Sequence, residues 1–243
     1  MNLGDMITRC RQQLPSSGGT ADMADLTIQN ALNQGVVKVN LITQCYQTYV
    51  KVANTPAVAG TPSQFSLSVI CPGFLTMADS GVWWFQTNGT SQIMYPVTRR
   101  WLDLYVPNWR DQSPVSSNPT WYWHEGDQLG FYPGSTQQSS NANKDFWVYY
   151  LVFPTPMGGP NNFPWTNGTT ELTALNCMDD AIIAYAVSKL APALMDKEGR
   201  NYYDLQFKQE CQTGASQVRR KPDMTSTYGY YINIGPQGGF LPN

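Results

Sequence analysis

The residue types best suited to chemistry lie close together, in the stretch Trp-Tyr-Trp-His-Glu-Gly-Asp at residues 121–127. His124 is the only histidine of the chain, and an imidazole base in a hydrolase needs a nucleophile and an orienting carboxylate beside it. Glu125 and Asp127 are near in sequence, but side chains alternate along a strand, so Glu125 points to the face opposite His124. We interpret His124 as structural and rank a hydrolase built on His124, Asp127 or Glu125 as the weakest of three hypotheses.

Metal and cofactor chemistry is also poorly supported by the sequence. Asp179 and Asp180 begin a predicted helix, where negative charge offsets the helix dipole, and the other acidic residues lack a ligand spacing such as an EF-hand loop. The five cysteines are odd in number, widely separated and without a C-x-x-C pair, which predicts buried thiols rather than a zinc site or a disulfide framework. No Gly-rich phosphate loop follows a predicted strand. We predict no metal, no cofactor and no enzymatic activity.

Aromatic residues are abundant, with 8 Trp and 14 Tyr, while charged residues make up only 13% of the chain. Aromatic residues concentrate in interface cores, where charged residues are depleted. This composition predicts surface that a partner covers, and the candidate interface residues are Trp83, Trp84, Trp121, Trp123, Tyr228, Tyr230, Tyr231 and Phe240. The alternative hypothesis is a carbohydrate-binding virion or secreted module that stacks sugars on the four tryptophans.

The charge balance argues against recognition by a global electrostatic field. Fifteen basic and 17 acidic residues give a net charge of −2, so the chain as a whole is not steered toward nucleic acid or an anionic membrane. The basic clusters Arg99-Arg100 and Arg219-Arg220-Lys221 are predicted to lie at a ring interface or to pair with carboxylates. If they face a lumen, they could contact passing DNA without reading its sequence. No apolar run reaches 18 residues and the start does not resemble a signal peptide, so we expect no membrane partner and a protein made in the cytoplasm.

The front of the chain predicts two helices. Apolar residues at three- and four-residue steps place one face of the first helix at Leu3, Met6, Ile7, Cys10 and Leu14. A second helix is predicted to begin at Asp25, whose carboxylate could cap free backbone N–H groups, and its apolar stripe runs through Ile28, Leu32, Val36, Val39 and Ile42. Gly35 within this stripe either permits close approach of another helix or is merely tolerated.

From residue 46 the apolar pattern changes to the two-residue period of strands. Residues 46–52 predict one strand, and residues 65–70 predict another that ends at Cys71-Pro72-Gly73. Residues 81–97 predict a β-hairpin, because Asn88-Gly89 supplies the two positive φ angles of a type I′ turn.

A second hairpin is predicted at residues 121–132, with Gly126-Asp127 as its turn. The register of a two-residue turn places Trp123 opposite Gly130, where a large ring can cover bare backbone. The strand predicted at residues 145–153 has aromatic or aliphatic side chains on both sides. We therefore expect both elements to be covered on two faces, by another sheet or by a neighbouring subunit.

The helical period returns in the last third of the chain. Residues 177–195 are apolar nearly all round, which is typical of a helix at the centre of a bundle. Gly199 separates this helix from a last one at residues 200–219, and the short connection makes the two antiparallel neighbours. The Gly- and Tyr-rich segment 221–243 has too few packing residues to fold alone, so we predict that it docks onto a partner or an adjacent copy.

These elements predict an α+β fold in which distant segments meet. We expect an antiparallel helical bundle from residues 1–45 and 172–220, an inserted β-rich, sandwich-like region at residues 46–171, and an extended C-terminal tail at 221–243. Such a chain is shaped for assembly rather than for turnover.

The order of these motifs resembles that of the head-to-tail adaptor proteins of tailed bacteriophages, also called connector or head-completion proteins. The similarity covers most of residues 1–220. Its parts are the opening Leu-Gly-Asp-Met-Ile-Thr-Arg-Cys-Arg-Gln-Gln-Leu at residues 3–14, the Gly-Asp hairpin at 121–133, the Asp-Asp-Ala-Ile-Ile-Ala-Tyr-Ala helix at 179–186, and the partner helix through Phe207 and Cys211. The Gly/Tyr tail departs from the compact family pattern.

The resemblance implies a non-enzymatic structural protein of the virion neck, assembled in the host cytoplasm. It implies a homo-oligomeric ring, expected to be a dodecamer, that docks under the portal protein and encloses a channel for the non-specific passage of DNA. The other face of the ring would bind a tail-side protein such as a nozzle, a stopper or a tail tube. Ordering of the C-terminal tails would accompany docking.

Overall fold

The computed structural model describes residues 1–14, 23–54, 64–86, 90–106, 109–111, 115–116, 118–135, 146–167, 170–190 and 197–220. These residues form a mixed α+β fold, as expected from the two changes of period. The chain divides into two compact units: Met1–Tyr46 with Phe153–Asn243, and Gln47–Val152. Below, the first is the helical unit and the second the β unit. The predicted domain bounds, 1–45 with 172–220, 46–171 and 221–243, stay a prediction.

The helices of the described residues are α1 (Leu3–Gln13), α2 (Asp25–Thr43), α3 (Leu67–Ile70), α4 (Arg99–Tyr105), α5 (Asp179–Leu190) and α6 (Lys197–Arg220), with 3-10 helices at Trp109–Asp111 and Thr173–Met178. The strands are β1 (Gln47–Val52), β2 (Gln64–Ser66), β3 (Phe74–Phe85), β4 (Ser91–Ile93), β5 (Tyr95–Pro96), β6 (Val115–Ser116), β7 (Trp121–Glu125), β8 (Gln128–Tyr132), β9 (Gly134–Ser135), β10 (Phe146–Val152), β11 (Thr166–Asn167) and β12 (Thr170–Glu171).

The first two helices follow the predicted apolar faces. In α1, the side chain of Asn2 caps the helix by accepting a hydrogen bond from the Asp5 N–H at 2.9 Å. The buried residues of the helix are Leu3, Met6 and Cys10, and Leu14 at its C-cap is buried too. The predicted cap at Asp25 is wrong. Ala24 occupies the cap position of α2 without a side-chain bond, and Asp25 instead accepts a 2.7 Å hydrogen bond from Arg11.

Helix α2 packs against α5 at Gly35, so of the two alternatives left open by the sequence the structure supports close approach. A methyl group added there would lie 3.0 Å from the Ile182 carbonyl oxygen and 3.3 Å from the Tyr185 ring. Helices α5 and α6 run antiparallel, as predicted, because Tyr185 contacts Phe207 while Met178 lies against Gly214. Gly199 does not separate them, since α6 already begins at Lys197.

One four-stranded sheet of the β unit has the order β1-β10-β3-β4, with every neighbouring pair antiparallel. Pairing of β3 with β4 confirms the first predicted hairpin, with Trp83 opposite Ile93 and Phe85 opposite Ser91. Its predicted turn at Asn88-Gly89 lies outside the described residues.

A second four-stranded sheet has the order β2-β8-β7-β5. Strands β7 and β8 have the predicted register, with Trp123 opposite Gly130, and Gly126 takes the positive φ of +57° that the tight turn needs. The Trp123 indole lies directly over the Gly130 Cα, leaving no room for a Cβ atom. The ring therefore covers the bare backbone, as predicted.

The strand predicted at residues 65–70 is wrong beyond Ser66, where the chain turns into α3. The cause is Asp127, which lies in the turn between β7 and β8. Its carboxylate accepts hydrogen bonds from the Ser66 hydroxyl at 2.6 Å and the Ser68 N–H at 2.6 Å, while its backbone carbonyl accepts one from the Leu67 N–H at 2.7 Å. These bonds end the strand and begin a helical turn, which alternation of apolar residues alone does not reveal.

The main core of the β unit draws buried residues from both four-stranded sheets. Phe131 of β8 and Phe146 of β10 meet edge to face with ring centroids 4.7 Å apart, and Phe65 contacts Phe146 at 4.9 Å. On the other side of the β7–β8 hairpin, a smaller cluster contains Leu102, Trp109, Trp123 and Tyr132. Both faces of this hairpin are therefore covered within the unit.

Strand β10 differs from the expectation that both its faces are buried. Phe146, Val148 and Tyr150 are buried on one side, whereas Trp147 and Tyr149 on the other side are only half-buried. The apolar pattern of the strand does not distinguish a covered face from an open aromatic one.

Candidate assembly surfaces

The open side of the first sheet carries a continuous aromatic surface, which we call the aromatic face. Its residues are Tyr49, Trp83, Phe85, Trp147 and Tyr149. The Tyr49 and Trp147 rings stack at 5.0 Å, and Phe85 contacts Trp147 at 4.5 Å. Tyr149 bridges Tyr49 at 5.4 Å and Trp83 at 6.4 Å. Large rings held by one another in this way offer rigid contact area at low entropic cost.

A single lysine lies over the aromatic face. The Lys51 Nζ atom is 4.4 Å from the centroid of the Trp147 ring and 6.0 Å from that of Tyr49, which is cation–π geometry. Of the aromatic face, the sequence interpretation named only Trp83 as a candidate. Trp147 and Tyr149 could have been identified if one of the two apolar faces of the predicted strand 145–153 had been interpreted as exposed. Tyr49 and Phe85 lie on β1 and β3.

A second aromatic surface, the α4 patch, surrounds the end of helix α4. Trp101 contacts Tyr105 at 5.4 Å and Trp121 at 5.8 Å, and Trp121 stacks on Tyr132 at 5.9 Å. Leu104 and Tyr105 are exposed. The predicted candidate Trp121 thus borders a surface, with its ring half-buried.

The remaining two predicted tryptophans lie in the interior. Trp84 packs parallel to Phe146 in the main core of the β unit, and Trp123 fills the smaller cluster against Trp109. Both are buried, so neither ring is available to stack on a sugar or a partner while the unit is folded. The structure gives them a packing role. It places Trp121 against the cluster that contains Trp123, whereas Trp84 lies in the main core.

The two arginines at the start of α4 lie in different environments. Arg99 donates a 2.6 Å hydrogen bond to Glu125, and its guanidinium lies 4.9 Å from the Trp123 ring centroid. Arg100 is exposed. Arg99 therefore acts as a partner of the hairpin, and Arg100 is the member of the pair that faces solvent.

Other predicted candidates fall partly or wholly outside what the structure describes. Arg219 and Arg220 belong to the last turn of α6, but their side chains are not described. Lys221, Tyr228, Tyr230, Tyr231 and Phe240 lie outside the described residues, so their proposed interface roles stay predictions.

The residues considered for hydrolysis are dispersed among packing contacts. His124 meets the Phe74 ring edge to face at 6.0 Å, and Glu125 is paired with Arg99. Asp127 holds the start of α3, and its hydrogen bond from the Ser66 hydroxyl lowers the pKa of the carboxyl. Each polar group thus has a structural partner.

The acidic pair at the start of α5 forms ion pairs within the helical unit. Asp179 is buried, and its carboxylate lies 2.7 Å from the Met1 amino group. Burial raises the pKa of Asp179 to about 6 in spite of that partner. Asp180 is exposed and bonds Arg9 at 3.2 Å. No metal-binding cluster of three or more His, Cys, Asp or Glu side chains occurs within the described ranges.

The cysteines are free thiols. Burial raises the pKa of Cys10, Cys45, Cys71 and Cys211 to about 12 in each case, so these four groups remain neutral and unreactive at pH 7. Cys177 is half-buried, and its Sγ atom is 3.7 Å from the Gly214 carbonyl oxygen. The thiols act as small apolar residues in the packing.

A groove of about 600 Å³ runs along α2 in the helical unit, and we call it the α2 groove. Its lining consists of residues of α2, which form the first wall, residues 153–156, which form the second wall, and Tyr185 of α5. Asn33 fixes the second wall, since its side-chain amide bonds both backbone groups of Met157, at 2.9 and 3.2 Å. Nothing in the sequence signals this contact, which joins residues far apart in the chain.

A family model described as SU10 adaptor protein matches residues 1–229 of the 243-residue chain. No curated protein matches the chain. Among the helices of the described residues, none has the length and apolar character needed to cross a bilayer.

Proposed function

The chain belongs to the SU10 adaptor protein family, and from that membership we propose that it is a head-to-tail adaptor in the neck of a phage virion. The proposal depends on one observation, the family match across residues 1–229, which includes the whole β unit and all of the helical unit except residues 230–243. Family membership supports a structural phage adaptor and a virion component. This agrees with the resemblance found in the sequence.

In the proposed assembly, copies of the chain form a dodecameric ring that docks under the portal protein and connects the capsid to a tail-side protein. Head-to-tail contacts that close a ring require two different surfaces on each subunit. The aromatic face and the α2 groove are two such surfaces, one on each unit. A nozzle, stopper or tail tube would bind the opposite side of the ring.

The proposed subunit architecture has three parts. Residues 1–45 and 172–220 form an antiparallel helical bundle, residues 46–171 form a sandwich-like insertion, and residues 221–243 form an arm. The tight contact of Gly35 with Ile182 supports the bundle, and packing of Phe131 on Phe146 supports the sandwich.

The ring is proposed to enclose a channel through which DNA passes without being read. A net charge of −2 suits a channel that does not retain DNA, because phosphate binding requires a surplus of Lys and Arg. Exposed Arg100 is a candidate for weak contact with the lumen or with the next subunit, as are Arg219, Arg220 and Lys221 from the sequence.

The proposed function is mechanical and includes no catalytic step. The pairing of Glu125 with Arg99 and of Asp127 with Ser66 supports this, because neither carboxylate is left to activate a nucleophile beside His124. Burial of Trp84 and Trp123 weakens the carbohydrate-binding alternative, because it removes two of its four stacking platforms.

Sedimentation of the full chain with purified portal rings tests the proposal. We expect the chain to co-sediment with the portal in a fixed stoichiometry. Tyr49→Ser, on the aromatic face, should weaken the assembly about tenfold or more if that face carries contact energy, while Val69→Ser, at an exposed apolar residue of α3, should not. A chain that stays monomeric and ignores the portal would contradict the proposed function.

A further inference from the structure

The α2 groove has the length of a short extended peptide. From Asn30 to Leu41 the helix rises about 16 Å, at ~1.5 Å per residue. An extended chain advances ~3.3 Å per residue, so about five residues fill this length. The groove is preformed, because Asn33 and Gln29 both bond the Met157 backbone and hold the second wall in place. A preformed site avoids the cost of ordering on binding.

The α2 wall of the groove has a repeat that matches an extended backbone. Asn30, Gln34 and Lys38 are exposed and lie four residues apart on one side of the helix, so successive side chains are separated by about 6 Å. Alternate residues of an extended peptide are ~6.6 Å apart. The two amides can both donate to and accept from peptide groups spaced in this way.

The opposite wall complements this pattern. Pro154 and Pro156 have no backbone N–H, so residues 153–156 present more acceptors than donors. The lining also contains the apolar side chains of Val36, Leu41 and Phe153 and the ring of Tyr185. Val36 is buried, whereas Leu41 and Phe153 are exposed. Such a site favours a peptide that is apolar on one side and supplies backbone N–H groups to its edges.

One segment of the chain has this alternation. In residues 228–235, Tyr228, Tyr230, Ile232 and Ile234 alternate with Gly229, Tyr231, Asn233 and Gly235. An extended backbone would place the first set on one face and the smaller or more polar set on the other. Residues 224–243 contain no charged side chain. Among the described residues that line the groove, Lys38 is the one that carries a charge.

We propose that the α2 groove of one copy binds residues 228–235 of a second copy as an extended strand, with Tyr230, Ile232 and Ile234 toward the apolar lining. A second copy is the chosen occupant because the head-to-tail contacts of the proposed ring join two different surfaces of neighbouring subunits. The groove lies beside the contact of Tyr185 with Phe207 of α6, and α6 continues from there to Arg220. This inference deepens the proposed ring and rests on it by naming a contact between neighbouring subunits.

The test measures binding of a fluorescently labelled peptide of residues 222–243 to the full chain by anisotropy. We expect saturable binding that weakens about tenfold or more when Leu41, which is 42% exposed, is changed to Asp, because the peptide would then face a desolvated charge. Leu26→Asp is the matched control, since Leu26 lies on the same helix, outside the groove, and is 64% exposed. It should leave binding unchanged.

Changes in the peptide make the test independent of whether a protein variant folds. Ile232→Asp in the peptide should abolish binding, whereas Asn233→Asp, on the opposite face, should have little effect. Absence of binding, or binding that is indifferent to both Leu41→Asp and Ile232→Asp, would overturn the inference. Co-sedimentation of the chain with the portal would still stand in that case, so failure here is distinct from failure of the proposed function.

Discussion

Strand β10 bears aromatic residues on both faces, and the two faces differ in what covers them. On the inner face, the Phe146 ring is enclosed by Phe65, Trp84 and Phe131. On the outer face, Trp147 contacts Tyr49 and Phe85 within its own sheet and remains half-buried. The residue types are alike, so their environment decides whether they stabilise the fold or are left for a partner.

The comparison shows why aromatic content alone does not identify an interface. Trp84 and Trp123 lie inside the β unit and contribute by removing apolar surface from water. Tyr49, 38% exposed, and its neighbours keep part of their surface in water, which is unfavourable for an isolated protein and favourable for one that assembles. The following predictions test how sharply these two classes of position differ.

The largest effect is expected from the inner face of β10. Phe146→Ala should lower the free energy of unfolding by about 3–5 kcal/mol, because it leaves a cavity among rigid rings. Trp147→Ala, the next residue along the strand, should cost about 1–2 kcal/mol, because its ring is already half in water. Urea unfolding measures both. Equal costs would mean that the outer face is as closed as the inner one.

Asp179 in the helical unit is a buried carboxyl, and it extends the comparison from aromatic rings to a group whose burial is costly. Because the pKa of Asp179 is raised from 3.8 to about 6, this carboxyl contributes most to stability when protonated, below about pH 4, and that contribution is lost as the pH rises through about 6. A shift of about two pH units corresponds to ~3 kcal/mol. Asn mimics the protonated form at every pH.

We therefore expect the stability of Asp179→Asn relative to the unchanged chain to improve by up to about 3 kcal/mol between about pH 4 and pH 7. Urea unfolding across this range measures the difference. Asp180→Asn is the matched control, because the Asp180 side chain is 65% exposed and solvent screens it. A difference between Asp179→Asn and the unchanged chain that does not vary with pH would contradict the buried-charge account.

A smaller effect is expected where the Trp123 ring covers Gly130. Gly130→Ala should destabilise by about 1–3 kcal/mol, because its methyl group would overlap the indole and the buried ring has little room to move. Gly158→Ala provides a control, since a Cβ atom there would meet no atom within 4 Å, and its effect should be within about 0.5 kcal/mol. Thermal or urea unfolding compares the two. A neutral Gly130→Ala would indicate that the covering ring is not held tightly.

The sequence predicted elements whose determinants are local. The β7–β8 register follows from the Gly126-Asp127 turn and the two-residue alternation beside it. The spacing of apolar residues from Leu3 to Leu14 predicted one helix face, and four of the five predicted positions are buried in the structure. The sequence left open whether Gly35 permits a close helix contact or is merely tolerated, and the structure decides for the contact, with the Ile182 carbonyl oxygen at the position a methyl group would crowd.

The features that escaped prediction depend on contacts between residues far apart in sequence. Asp127 lies in a turn about 60 residues further along the chain, and its hydrogen bonds end β2. Asn33 shapes the α2 groove by binding the Met157 backbone. The aromatic face forms because strands β1, β10 and β3 lie side by side. The sequence of a single strand does not reveal which strands are its neighbours. Apolar alternation gave the faces of β10 correctly from Phe146 to Tyr150, but Leu151 is buried at a register irregularity. The alternation also could not state which face remains open.

The position of this chain in a virion tests the central claim most directly. Electron microscopy of purified phage particles carrying a labelled copy of the full chain should place the label at the neck, between capsid and tail, in a ring of repeated density. Label distributed over the capsid shell, located at the distal end of the tail, or missing from the particle would contradict the assignment of this chain as a head-to-tail adaptor.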